Sequence, residues 1–273
     1  MAITFNTLKA DATIFAELSK NPKWWKRFKE DPSLYIEIRK DNQVNVYYEG
    51  GSVARIHYCS RHKKLQIFTH KDYLDEGSNT TYLECSNRIE EKYKTILKRV
   101  QDCYSRKKSK TEVLPKEKWG EKFIQGSLII NNRVIHLDSE FAYNDAHSKN
   151  RIDLVKCVDG VVTFVELKRI NDGRMLHNDD DTPLEIVEQM ERYKQFIEKY
   201  ESNLLTYYQQ VYDIKKSLCL PIPNKRPDKI NLTPELLIFD GWEKDTPGRT
   251  VHRIKMYERL DSKGIKYSTI KHV

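Results

Sequence analysis

Glu166 and Lys168 stand two apart in the run Val161-Val162-Thr163-Phe164-Val165-Glu166-Leu167-Lys168. Alternation along a strand sends both to one face and sends Val165 and Leu167 to the other, into packing. A carboxylate and an ammonium inside an apolar strand are costly to bury unless they pair or bind an ion. The run before it, Arg151 to Val158, carries Asp153, and the Asp159-Gly160 between the two runs is a two-residue hairpin signal. Counting outward from Val158 opposite Val161 brings Asp153 opposite Glu166, provided that no bulge shifts the register. Facing residues share a side of the sheet with Cβ atoms only ~5 Å apart. Two carboxylates so close repel unless a cation lies between them. Oxygen ligands with no histidine or thiolate favour Mg²⁺ or Mn²⁺. Such an ion lowers the pKa of bound water and offsets charge developing on a phosphodiester. A lysine two residues along the strand can orient the attacking water or neutralise the same charge. The residues outline a hydrolytic site.

The elements that must position them follow from pattern. A helix near Lys116 to Leu128 precedes three strand-like runs, Arg133 to Tyr143, Arg151 to Val158 and Val161 to Lys168. After an irregular stretch, Thr182, Pro183 and Glu185 have the spacing of an N-cap, a first helical residue and a capping box. The helix that follows runs toward Lys216, with Gln189 and Tyr193 one turn apart on one face. The strand Leu236 to Phe239, a helix from Ile254 to Ser262 stopped by Gly264, and a last strand Ile265 to Ile270 complete an α-β-β-β-α-β-α-β order.

The first 110 residues read differently. A helical pattern from Thr13 to Glu30, interrupted at Asn21-Pro22, leads into four β-rich runs between Asp31 and Tyr73 that form an antiparallel meander. Apolar residues at helical spacing then predict a long helix from Leu83 to about Lys108. It ends in the basic run Arg106-Lys107-Lys108-Ser109-Lys110, the expected boundary between residues 1–110 and 111–273.

The second half resembles the PD-(D/E)XK nuclease superfamily. The resemblance rests on Asp153, twelve intervening residues, then Glu166-Leu167-Lys168, within an α-β-β-β-α-β order. Gln189 and Tyr193 are similar to the Gln-x-x-x-Tyr motif of its RecB-like branch, without the cysteines some members use for an iron-sulfur cluster. The proline that names the motif is absent, since Ile152 precedes Asp153. The resemblance implies an α/β restriction-endonuclease-like core with an appended α-β, preceded here by a smaller α+β domain. It also implies a Mg²⁺-dependent deoxyribonuclease, with Mn²⁺ as a substitute, acting in prokaryotic defence or DNA processing. Asp153, Glu166 and the Leu167 carbonyl would hold the metal, Lys168 would assist water attack, and Gln189 and Tyr193 would contact a phosphate or hold Lys168. Glu140 is the expected additional acidic ligand, with Glu117 and Glu121 as alternatives. Many relatives are homodimers, so a homodimer is allowed. The alternative reading is a nucleic-acid-binding protein that keeps the fold and does not cut.

Composition agrees with a polyanionic partner. The chain of 273 residues has a net charge of +8, and residues 1–110 hold 22 basic against 14 acidic residues while residues 111–273 hold 26 of each. The excess lies entirely in the first half, where Lys23, Lys26, Arg27, Lys63 and Lys64 are the expected contacts to a DNA backbone. No apolar run approaches the ~20 residues a bilayer requires, and no secretory signal is legible at the N-terminus, so a cytoplasmic protein with no membrane partner is expected. Five scattered cysteines argue against a disulfide framework or structural zinc. The acidic loop His177 to Asp181 reads as a helix N-terminal flank, and His57, His62 and His70 as strand-surface residues.

Overall fold

The computed structural model describes residues 8–74, 76–104, 114–144, 149–175 and 184–273. The chain opens with α1 (Thr13–Ser19) and α2 (Lys23–Glu30), separated at Asn21, whose φ is +56°. Trp25 and Phe28 of α2 are buried. The meander follows as β1 (Leu34–Arg39), β2 (Gln43–Tyr48), β3 (Gly51–Cys59) and β4 (Lys64–His70). After the short α3 (Lys71–Leu74), a fifth strand, β5 (Tyr82–Glu84), pairs with β4. The expected helix start at Leu83 is therefore wrong: those residues extend the sheet, and α4 begins at Ile89 and ends at Tyr104. Ile89, Tyr93, Ile96 and Val100 give α4 its buried stripe. The basic run from Arg106 to Lys110 lies outside the described residues.

In the second half, Lys116–Lys118 form only a 3₁₀ turn, and the helix expected from Lys116 is α5 (Glu121–Asn131). Pro115 precedes the turn and Gly120 occupies the extended cap position of α5, so the chain bends before the helix begins. The strands β6 (His136–Asn144), β7 (Lys149–Val158) and β8 (Val161–Arg169) follow, with β7 antiparallel to both neighbours. The long helix α6 (Glu185–Ser217) starts after Leu184, which makes no side-chain cap; Thr182, Pro183 and the loop from His177 lie outside the described residues. A short β9 (Lys229–Ile230) runs beside the start of β8. Then β10 (Glu235–Phe239) pairs parallel with β8, α7 (Pro247–Ser262) is capped by the Thr246 hydroxyl, and β11 (Tyr267–Ile270) pairs parallel with β10. The expected α7 start at Ile254 was late because Thr246-Pro247 supplies an earlier cap and first residue. The result is a mixed sheet ordered β11-β10-β8-β7-β6, beside the five-stranded antiparallel sheet β1 to β5.

One buried apolar cluster runs through both halves, from Val46, Ile56 and Ile96 to Phe141, Phe164 and Tyr208. Backbone proximity helps seat the meander. Gly50, in the β2–β3 turn with φ +83°, would place a Cβ 2.1 Å from the Lys122 carbonyl oxygen, and Gly126 would place one 2.6 Å from the Gly50 nitrogen. Any side chain at either position would push the turn off α5. Charges close the same seam. The Lys215 ammonium lies 3.2 Å from Glu37 and donates to the Leu137 carbonyl at 2.7 Å, while Arg39 contacts Asp138 at 2.7 Å. Among the described residues, no helix is long and apolar enough to cross a membrane.

Candidate active site

The β7–β8 ladder runs without a shift from Val158–Val161 to Leu154–Val165 and stops there. The next step along that register is Asp153 and Glu166, as the hairpin count predicted. Instead of continuing the ladder, the Asp153 carboxylate accepts the Leu167 backbone N–H at 2.9 Å. Across β6, the pairs Ser139–Leu154 and Phe141–Ile152 leave Glu140 level with Asp153. Glu140 has φ +52°, a kink inside the strand. Three acidic residues are therefore level across three strands, where the β7–β8 ladder ends.

Both faces of β8 have the predicted contents. Leu167 packs with Trp119, Phe123, Ile124 and Phe239, whereas Glu166 and Lys168 share the opposite side. Those two are 3% and 2% exposed, and their side chains are hydrogen-bonded to one another. The Lys168 ammonium also donates to the Leu167 carbonyl at 3.1 Å. From α6, Gln189 donates to Glu166 at 2.6 Å and to the Tyr193 hydroxyl at 2.7 Å, and that hydroxyl donates to the Arg151 carbonyl. From α5, the Gln125 amide donates to the Asp153 carbonyl. A cavity of about 390 Å³ joins Asp153, Glu166, Leu167, Lys168, Gln189 and Tyr193.

Burial and crowding set the protonation. Burial, then the neighbouring Asp153 charge, push the Glu166 carboxyl up to about 7, against the opposing pull of Lys168 and Gln189. Burial also raises Asp153, partly offset by Lys168 and the Leu167 N–H. The Glu166 Oε2 is buried with no hydrogen-bond partner among the described residues. An orphaned carboxylate oxygen next to a second buried carboxylate suits a hard cation. Asp153, Glu166 and the Leu167 carbonyl are the donors this chain offers. Among the described residues, no group of three or more His, Cys, Asp and Glu side chains converges to hold a metal unaided.

The additional acids divide. Glu140 borders the cavity, but its carboxylate is held by the Arg151 guanidinium. Glu121 also borders it, raised by burial and the Asp153 charge and lying 3.8 Å from Arg174. Glu117 does not; it pairs with Arg249 at 2.8 Å. The basic residues expected to hold a backbone are elsewhere. Lys23 pairs with Glu90 at 2.9 Å, Lys26 with Glu30 at 3.7 Å and Lys64 with Glu84 at 3.7 Å. Arg27 lies over the Tyr93 ring, and Lys63 sits in the β3–β4 turn with φ +47°. The cations at the cavity are instead Lys122, Arg151, Arg174 and Arg192, which the sequence reading missed. Two of them carried a signal: Lys122 precedes the buried Phe123 and Ile124, and Arg192 lies one turn beyond Gln189.

No family model, curated protein or solved structure matches the chain.

Proposed function

We propose that this chain is a metal-dependent nuclease that hydrolyses phosphodiester bonds, with DNA as its substrate. The observation that carries the reading is the buried Asp153–Glu166 pair beside Lys168, with one Glu166 oxygen unpartnered. The residue pattern shared with the PD-(D/E)XK superfamily supports the same assignment. Mg²⁺ or Mn²⁺ held by Asp153, Glu166 and the Leu167 carbonyl would supply an acidified water and positive charge opposite the phosphate.

The remaining work falls to side chains. Lys168, anchored between Glu166 and the Leu167 carbonyl, places an ammonium where a water or phosphate oxygen must be held. Gln189 fixes the Glu166 carboxylate plane, and Tyr193 ties α6 to β7 through the Arg151 carbonyl, so both position rather than react. Lys122, Arg174 and Arg192 meet the backbone at the mouth. A restriction-endonuclease-like ancestry and a defence or DNA-processing role belong to this proposal, as does a homodimer for cutting two strands.

The test is a cleavage panel of linear, circular, single-stranded and RNA substrates in Mg²⁺ and Mn²⁺, with EDTA and Glu166→Ala controls. Metal-dependent products that vanish with EDTA and in Glu166→Ala support the nuclease. Salt-dependent binding without turnover in any metal supports the non-cutting alternative.

A further inference from the structure

A second cavity of about 580 Å³ adjoins the first, and Lys122, Gln125, Glu140 and Arg151 border both. Its far wall is the meander: Gly50 and Ser52 at the β2–β3 turn, Arg55 of β3, His70, Tyr73 and Tyr82. The seating of Gly50 against α5 brings that wall over the open edge of the catalytic sheet. The volume is within the roughly 300–1,000 Å³ of small-molecule sites. It is far too small for a duplex, and large enough for one nucleotide.

The lining has the chemistry of a nucleotide. Arg55 is fixed by a 2.6 Å bond from its guanidinium to the Tyr82 hydroxyl, with its carbon centre 3.7 Å from the Tyr82 ring centroid. Its Nε and the Ser52 hydroxyl are buried without a hydrogen-bond partner among the described residues. His70 and Tyr73 flank them, with ring centroids 5.4 Å apart. A fixed guanidinium and a histidine next to aromatic rings suit a base, while Lys122 and Arg151 at the shared border suit its phosphate.

We propose that this cavity takes an unstacked nucleotide of the substrate strand next to the scissile phosphate, so that the meander selects single-stranded or locally opened nucleic acid. The inference rests on the nuclease reading and adds a strand subsite to it. A base can reach the pocket only by leaving the stack, which favours a single strand over an intact duplex.

The test uses the full-length Glu166→Gln protein and fluorescent 12-mers of single-stranded DNA, single-stranded RNA and duplex DNA, read by anisotropy. A single strand is expected to bind at least tenfold tighter than the duplex. Arg55→Met is expected to erase most of that preference, with its melting temperature recording that it folds. The two single-strand arms identify the sugar the pocket accepts. A mapping arm places 5-iodouracil in the bound strand, and photocrosslinks should fall on the peptides holding Tyr73 and Tyr82. Equal affinity for strand and duplex overturns the subsite and leaves the nuclease standing. So do crosslinks confined to other peptides. Absence of binding to every nucleic acid overturns both.

Discussion

Two clusters of buried charge share this chain, and they are built to different ends. At the seam between the sheets, Glu37 and Asp138 are each matched by a cation, Lys215 and Arg39, and the Tyr208 hydroxyl donates to Asp138 at 3.3 Å. In the cavity, Lys168 pairs with Glu166, Asp153 accepts the Leu167 N–H, and one Glu166 oxygen has no hydrogen-bond partner among the described residues. Two carboxylates against two cations close on themselves. In the cavity the two carboxylates crowd one another instead, and a cation beside the unpartnered oxygen would relieve that repulsion. Composition is similar in the two places; closed pairing makes the one a lock, and an unpartnered oxygen beside a second carboxylate sets the other apart.

That contrast can be broken most severely at the cavity. Asp153→Asn and Glu166→Gln are each expected to cut metal-dependent hydrolysis by a thousandfold or more, about 4 kcal/mol of transition-state stabilisation. In thermal melts at pH 8 Asp153→Asn should be no less stable than the parent, because it relieves carboxylate repulsion and its amide oxygen can still accept the Leu167 N–H. At the seam the result should invert. Lys215→Met leaves Glu37 buried and unpaired, at a cost of about 3–5 kcal/mol in urea denaturation, and adding Glu37→Leu should recover most of it. Equal destabilisation in both clusters would erase the distinction.

A smaller effect follows from acidity. The folded protein holds the Glu166 proton up to about 7, whereas the unfolded chain releases it near the ordinary 4.5. Its contribution to stability is therefore present below about 4.5 and lost as pH rises through about 7. Burial also raises Glu37 to about 7, so the parent alone does not separate the two. The Mg²⁺-induced rise in melting temperature should be larger at pH 8 than at pH 5.5, and Glu166→Gln should abolish that difference. Least of all, Tyr193→Phe and Tyr208→Phe should each cost about 1 kcal/mol in denaturant titrations. Only the Tyr193 variant is expected to slow cleavage.

Much of the site was legible because it is local in sequence. A two-residue hairpin and a period of two fix which residues of β7 and β8 face each other, and a 3.6-residue period puts Gln189 and Tyr193 on one helix face. Errors came where a short segment had two readings. Leu83 suits a helix and also a strand, and β4 decided it by offering an edge. The seam left traces that alternation alone could not interpret. Lys215 continues the buried stripe of Leu204, Tyr208 and Val211 on α6, and Glu37 lies between apolar residues of β1. Each is a polar residue in an apolar stripe, and its partner lies 178 positions away.

The sequence by itself determined most of the strands, the hairpin register as far as Leu154 and Val165, the closeness of Asp153 to Glu166, and the charge excess of the first 110 residues. It determined them because each depends on neighbours a few bonds apart or on simple counting. Tertiary structure alone decided that Lys122, Arg174 and Arg192, rather than Lys23, Lys26 and Lys64, stand at the cavity. It also decided that the meander roofs a second pocket beside it. Those outcomes depend on how two sheets dock, which is set by backbone approach at Gly50 and Gly126 and by ion pairs between distant segments. Neither has a period that can be read along the chain.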